Sequence, residues 1–119
     1  MKLVNLTDHV VNVTATDGKT YSFPPRPKAQ GGSARLDEIK TPAGKALVDF
    51  AAQFDVASVS YGEVTGLPDP DPTGGTGYIV SRLLAEACPE RGDLYFPLEL
   101  VRDTAGQPAY ARRLGRAGR

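Results

Sequence analysis

The chain is poor in the residue types that most catalytic and metal chemistry needs. Its 119 residues include a single cysteine, a single histidine, a single methionine and no tryptophan, and 14 Lys plus Arg balance 14 Asp plus Glu. One cysteine permits neither an internal disulfide nor a Cys-rich zinc site, and one histidine removes multi-histidine sites, so no metal or other cofactor is expected. Zero net charge argues against a whole surface devoted to nucleic acid. No window approaches the roughly 18 apolar residues of a membrane span, and the apolar stretch at the start is too short for a signal peptide. The expected setting is therefore the cytoplasm, without a membrane. What the chain does have is 13 Gly and 10 Pro, which implies many loops around a modest core. At this size oligomerisation is a plausible source of further stability.

Short runs rich in Val, Leu and Thr predict strands over Lys2 to Leu6 and Val10 to Thr14, with a turn at Thr7-Asp8-His9 between them. Asp17-Gly18 predicts a type I′ hairpin turn into a third strand, Thr20 to Phe23, which Pro24, Pro25 and Pro27 end. From Thr41 the apolar spacing changes. Ala43, Ala46, Leu47, Phe50, Ala51 and Phe54 recur at three and four residues behind Thr41-Pro42, which predicts an amphipathic helix packing Leu47, Phe50 and Phe54 on a sheet. Val56 to Val64 reads as a strand, Gly66 to Gly77 as a long loop, and Tyr78-Ile79-Val80 as a short buried strand. Ser81 caps a helix over Arg82 to Cys88. Strands at Leu98 to Val101 and Pro108 to Leu114 flank a turn at Asp103 to Gln107. The fold these elements imply is α+β, with mainly antiparallel strands and two short helices on one face. It forms a single domain over 1–114 and a basic flexible tail over 115–119.

Three places could carry chemistry. Backbone N–H groups of Thr73, Gly74, Gly75, Thr76 and Gly77, near the helix start at Ser81 and joined by the guanidinium groups of Arg91 and Arg102, could hold a small anion such as a nucleotide. No Lys-Ser or Lys-Thr follows the glycines, so this is not a Walker loop. The alternatives are a plain connector for the loop and a local Arg91–Asp93 pair in the turn at Gly92. Any Ser-His or Cys-His mechanism must use His9, and a hydrolase could pair it with Ser81 or an acid, although no nucleophile elbow surrounds Ser81. Cys88 reads as a small core residue. Arg112, Arg113, Arg116 and Arg119 form a basic end able to touch nucleic acid weakly, or merely to aid solubility.

Four stretches in this order, Asn5-Leu6-Thr7-Asp8-His9, Tyr61-Gly62-Glu63-Val64-Thr65-Gly66-Leu67-Pro68, Tyr78-Ile79-Val80-Ser81 and Arg91-Gly92-Asp93-Leu94, resemble a family of small proteins from bacteriophages, prophages and actinobacterial genomes. Pro97, Val101-Arg102-Asp103 and Gly106 extend the likeness over nearly the whole chain. Asp8 stands where relatives commonly have proline, and Tyr61 where they have phenylalanine. The resemblance carries over no catalytic residues. It implies a mobile-element setting, in which small proteins bind a host protein or a nucleotide signal. The expected function is thus a non-catalytic binding protein for a small anionic ligand or a host protein, with counter-defence as a candidate role and a homo-oligomer as a candidate state. The alternatives are a small hydrolase built on His9, and a structural or virion-associated subunit that assembles through exposed strand edges.

Overall fold

The computed structural model describes residues 1–48 and 52–117. Strands β1 (Lys2–Asn5), β2 (Val11–Thr14) and β3 (Thr20–Phe23) come first, followed by two long strands, β4 (Arg35–Val48) and β5 (Ala52–Thr65). Then follow β6 (Thr76–Ile79), helix α1 (Arg82–Ala87), β7 (Leu94–Arg102) and β8 (Pro108–Gly115). Six of the strands form one sheet in the order β1-β6-β7-β8-β2-β3, and β4 with β5 make a separate hairpin. Asn5 bridges to Pro25 just beyond β3, so the two edges of the six-stranded sheet meet at one end and the sheet curls almost into a barrel.

This architecture corrects the α+β expectation. Strands hold 53% of the described residues and helical turns 8%, and in the predicted helix over Thr41 to Phe54 the described residues, 41–48 and 52–54, are instead strand residues of the hairpin. Phe54 pairs with Ala46 across it and is 55% exposed rather than packed on the sheet; Phe50 lies outside the described residues. Gly44 shows why the helix does not form. Its φ of +88° belongs to a bulge, between the Pro42↔Ala57 and Lys45↔Asp55 pairs, that a helix would not tolerate. Pro42 is acceptable there because each strand of a lone hairpin has a free edge.

The pairing is also more mixed than expected. β1 and β6, β6 and β7, and β2 and β8 all run parallel. The β6–β7 pair is joined through α1, because parallel neighbours need a crossover, and Ser81 starts that helix by accepting the Leu84 N–H at 3.2 Å. At Asp17-Gly18 only Gly18 has positive φ, so the turn has three loop residues and Asp17 bonds Lys19 N–H, in place of the expected type I′ form.

Alternation along β6 and β7 sorts the core into two clusters. Leu6, Tyr78, Val80, Leu94 and Phe96 pack with Leu84 and Ala85 of the helix on one face. Ile79 points the other way, to Val11, Val13 and Ala111 from strands across the sheet, inside the curl. The hairpin roots in the first cluster through Leu36 and Val64. Beyond that root, every described residue from Asp37 to Ala46 and from Gln53 to Glu63 is exposed. The hairpin is an arm about 45 Å long at ordinary strand rise, and it stretches the molecule to 57 Å.

Candidate functional site

The residues expected to cradle an anion are spread over the 66–75 loop and β6, the start of α1 at Ser81, the turn at Arg91 and the β7–β8 turn at Arg102. In the 66–75 loop, Asp71 is the organiser: its carboxylate accepts the Thr73 N–H at 2.9 Å, the Thr73 hydroxyl at 2.7 Å and the Thr76 hydroxyl at 3.0 Å. Those bonds, led by Thr73, hold its carboxyl below the usual range. Gly74 N–H donates to the Asp71 carbonyl and Gly75 N–H to the Thr73 hydroxyl. The loop donors are thus engaged around a negative charge. Gly77 lies buried in β6, where an added Cβ would stand 2.8 Å from the Tyr95 ring, so its glycine serves packing. Arg91 forms a two-pronged pair with Asp93, both bonds 2.8 Å, and donates to the Pro68 carbonyl at 2.9 Å. It touches the start of the loop through a carbonyl. Arg102 donates to Gly106 O in the β7–β8 turn at 2.9 Å.

The motif residues near the start act structurally. Asn5 is buried, and its amide donates to the His9 and Phe23 carbonyls at 2.8 Å, while its oxygen accepts from Thr7 N–H at 2.9 Å and Thr7 hydroxyl at 2.6 Å. One side chain therefore ties the 7–9 turn to the end of β3. Gly66 is similarly constrained, with φ of +76° and a Cβ position only 2.7 Å from the Ser33 carbonyl.

Between this turn, the root of the arm and the start of α1 lies a cleft of about 410 Å³, lined among others by Asp8, His9, Arg35, Glu38, Tyr61 and Ser81. His9 Nδ1 meets Asp8 Oδ1 at 3.2 Å, which lowers the Asp8 carboxyl. Ser81 shares the cleft, and its Oγ serves as the helix cap. Among the described residues no cluster of three or more His, Cys, Asp or Glu could hold a metal ion, and no helix is long and apolar enough to cross a membrane. Burial pushes the Cys88 thiol up, which disfavours the reactive thiolate. Of the C-terminal arginines, Arg112 and Arg113 belong to β8, and Arg113 pairs with Glu99 at 2.8 Å. Arg116 reaches the Gly92 carbonyl at 3.5 Å and Ala117 packs on the core, while Arg119 lies outside the described residues.

The arm presents two unlike faces. Register places Glu38, Tyr61, Lys40, Val59, Lys45 and Asp55 on one, with ion contacts Lys40–Glu38 at 3.5 Å and Lys45–Asp55 at 3.9 Å. The other carries Ile39 with Ser60, Thr41 with Ser58, then Val56 and Phe54 with Ala46, and no charged side chain among the described residues from Ile39 to Ser60. Ile39, Phe54 and Val56 are 50%, 55% and 41% exposed. The helical reading missed this surface. The signals that could have found it are Gly44 and the β-branched and Ser/Thr run from Val56 to Ser60. Comparison with protein-family models, with curated proteins and with solved structures finds no match to this chain.

Proposed function

We propose that this is a non-catalytic protein that works by binding another protein chain through the β4–β5 arm, in the mobile-element setting that the family resemblance implies. The observation that carries the reading is the uncharged face of the arm, where Ile39, Phe54 and Val56 hold large apolar surface in water. Large apolar side chains kept exposed along one uncharged face are a feature of protein contact sites. Of the two partner classes expected from sequence, a protein fits the arm; the loop near Thr73, with Asp71 at its centre, supports an anionic ligand less. A photo-reactive residue at position 54 should cross-link a protein in the cytosol of the producing cell, and one at Asn12 in the body should not. Equal labelling from both positions, or none from either, contradicts the proposal.

A second reading, a small hydrolase, draws on the cleft that holds Asp8, His9 and Ser81 together. Under the first reading His9→Ala leaves cross-linking from position 54 unchanged and abolishes no turnover. A hundredfold loss of ester hydrolysis in that variant, with folding intact, would favour the hydrolase.

A further inference from the structure

The chain exposes 8359 Å². A compact monomer of its mass, 12.7 kDa, exposes about 6,200 Å², so the surplus is about 2,100 Å². The radius of gyration, 17.7 Å, likewise exceeds the roughly 13.5 Å of a compact chain of this length. The arm, exposed at every described residue beyond its root, contributes to both excesses. An isolated two-stranded hairpin is at best marginally stable in water, because one pair of strands buries too little apolar surface against itself. An arm of this length therefore needs a cover that is present whenever the protein is.

We infer that the cover is a second copy of this chain, docked through the uncharged arm face across a two-fold axis that passes near Val56 and Ser58. This rests on the reading of the arm as a protein-binding element and names its partner. Three observations favour the second copy. Shared between the two faces of the arm, the surplus lets a covered face hide about 1,000 Å² per chain, at the lower end of the roughly 1,000 to 2,500 Å² that each chain hides in an obligate homodimer. A two-fold contact sets a surface against itself, so any charge at its centre would meet its like. The face with Ile39, Thr41, Ser58 and Phe54 has no such charge, whereas the opposite face carries Lys40, Glu38, Lys45 and Asp55. Equal numbers of acidic and basic residues over the chain also leave no net repulsion between copies. With the axis near Val56, antiparallel arms bring Ile39 near the root of one against Phe54 near the tip of the other.

Sedimentation equilibrium of the purified full chain tests this. The expected mass is twice that of the monomer at micromolar concentration, with Ile39→Glu plus Phe54→Glu raising the dissociation constant roughly thirtyfold or more and Val59→Glu, on the charged face, leaving it unchanged. Ser58→Cys in a Cys88→Ala background supplies a second measurement. Under mild oxidation it should link two copies by a disulfide, and Val59→Cys should not. A monomer at all concentrations, or equal linking from positions 58 and 59, overturns the dimer. If position 54 then still cross-links a different protein, the binding role of the arm stands and only the identity of its partner falls; if it cross-links none, both fall.

Discussion

Leu6, Ile79, Leu84 and Leu94 are sealed to 1% exposure or less, whereas Ile39, Phe54 and Val59, of comparable apolar character, keep 50–55% of their surface in water. The first group sits where a curled sheet and a short helix enclose it from several sides. The second sits on a two-stranded hairpin whose described residues beyond the root are all exposed. Hydrophobicity alone thus does not make a core; a second layer does. The body of this protein has that layer within one chain; on the reading proposed above, the arm obtains it from another.

The contrast makes the body sensitive to truncation and the arm tolerant of it. The largest expected effect is Leu94→Ala, which opens a cavity in the main cluster and should lower unfolding free energy by about 2 to 5 kcal/mol, read by denaturant titration. A loss below about 1 kcal/mol would mean that the body is no better packed than the arm.

Arg91→Ala ranks next. The pair with Asp93 is mostly buried, with side-chain exposures of 15% and 19%, and its loss should cost about 1.5 to 3 kcal/mol. The Arg91 guanidinium holds the Asp93 carboxyl below its ordinary value. A carboxyl whose folded value is depressed stabilises fully above its unfolded value, about pH 3.9, and that stabilisation is lost as pH falls through the folded value. The native protein should therefore lose stability as pH drops below about 4, and Arg91→Ala should flatten this part of the profile. Parallel profiles for both proteins would break the assignment.

The smallest effect is expected in the arm. Lys45→Ala removes an ion contact at 3.9 Å between side chains 63% and 92% exposed, and the thermal midpoint should not move, since such pairs contribute little in water. A clear drop would show that the charged face of the arm is covered.

The same division governs what was legible in the sequence. The strand expected from Leu98 starts four residues earlier, at Leu94, but β3, β8 and the Ser81-capped helix are local structures whose turn and cap residues lie within a few positions, and each is legible near its observed bounds. β1 beside β6 is not, because it joins Lys2 to Thr76 and no local pattern encodes such a pairing. The arm misled for a different reason. Strand periodicity is visible when one face is buried and the other wet, but here Phe54 and Val56 lie on one face and Val59 and Tyr61 on the other, so alternation vanishes and the Ala-rich spacing reads as a helix. The turn residues alone point to the Arg91–Asp93 pair. The organising role of Asp71, and the cleft uniting His9 with Arg35 and Ser81, depend on residues brought together by the fold.

Hydrogen exchange of backbone amides as a function of protein concentration tests the division between a self-sufficient body and a partner-dependent arm most directly. Amides of Leu6, Ile79 and Leu94 should exchange slowly and equally at all concentrations, while those of residues 54–60 should exchange fast in dilute solution and slow markedly as copies associate. Arm amides as protected as the body at the highest dilution, or equally fast at every concentration, would contradict that division.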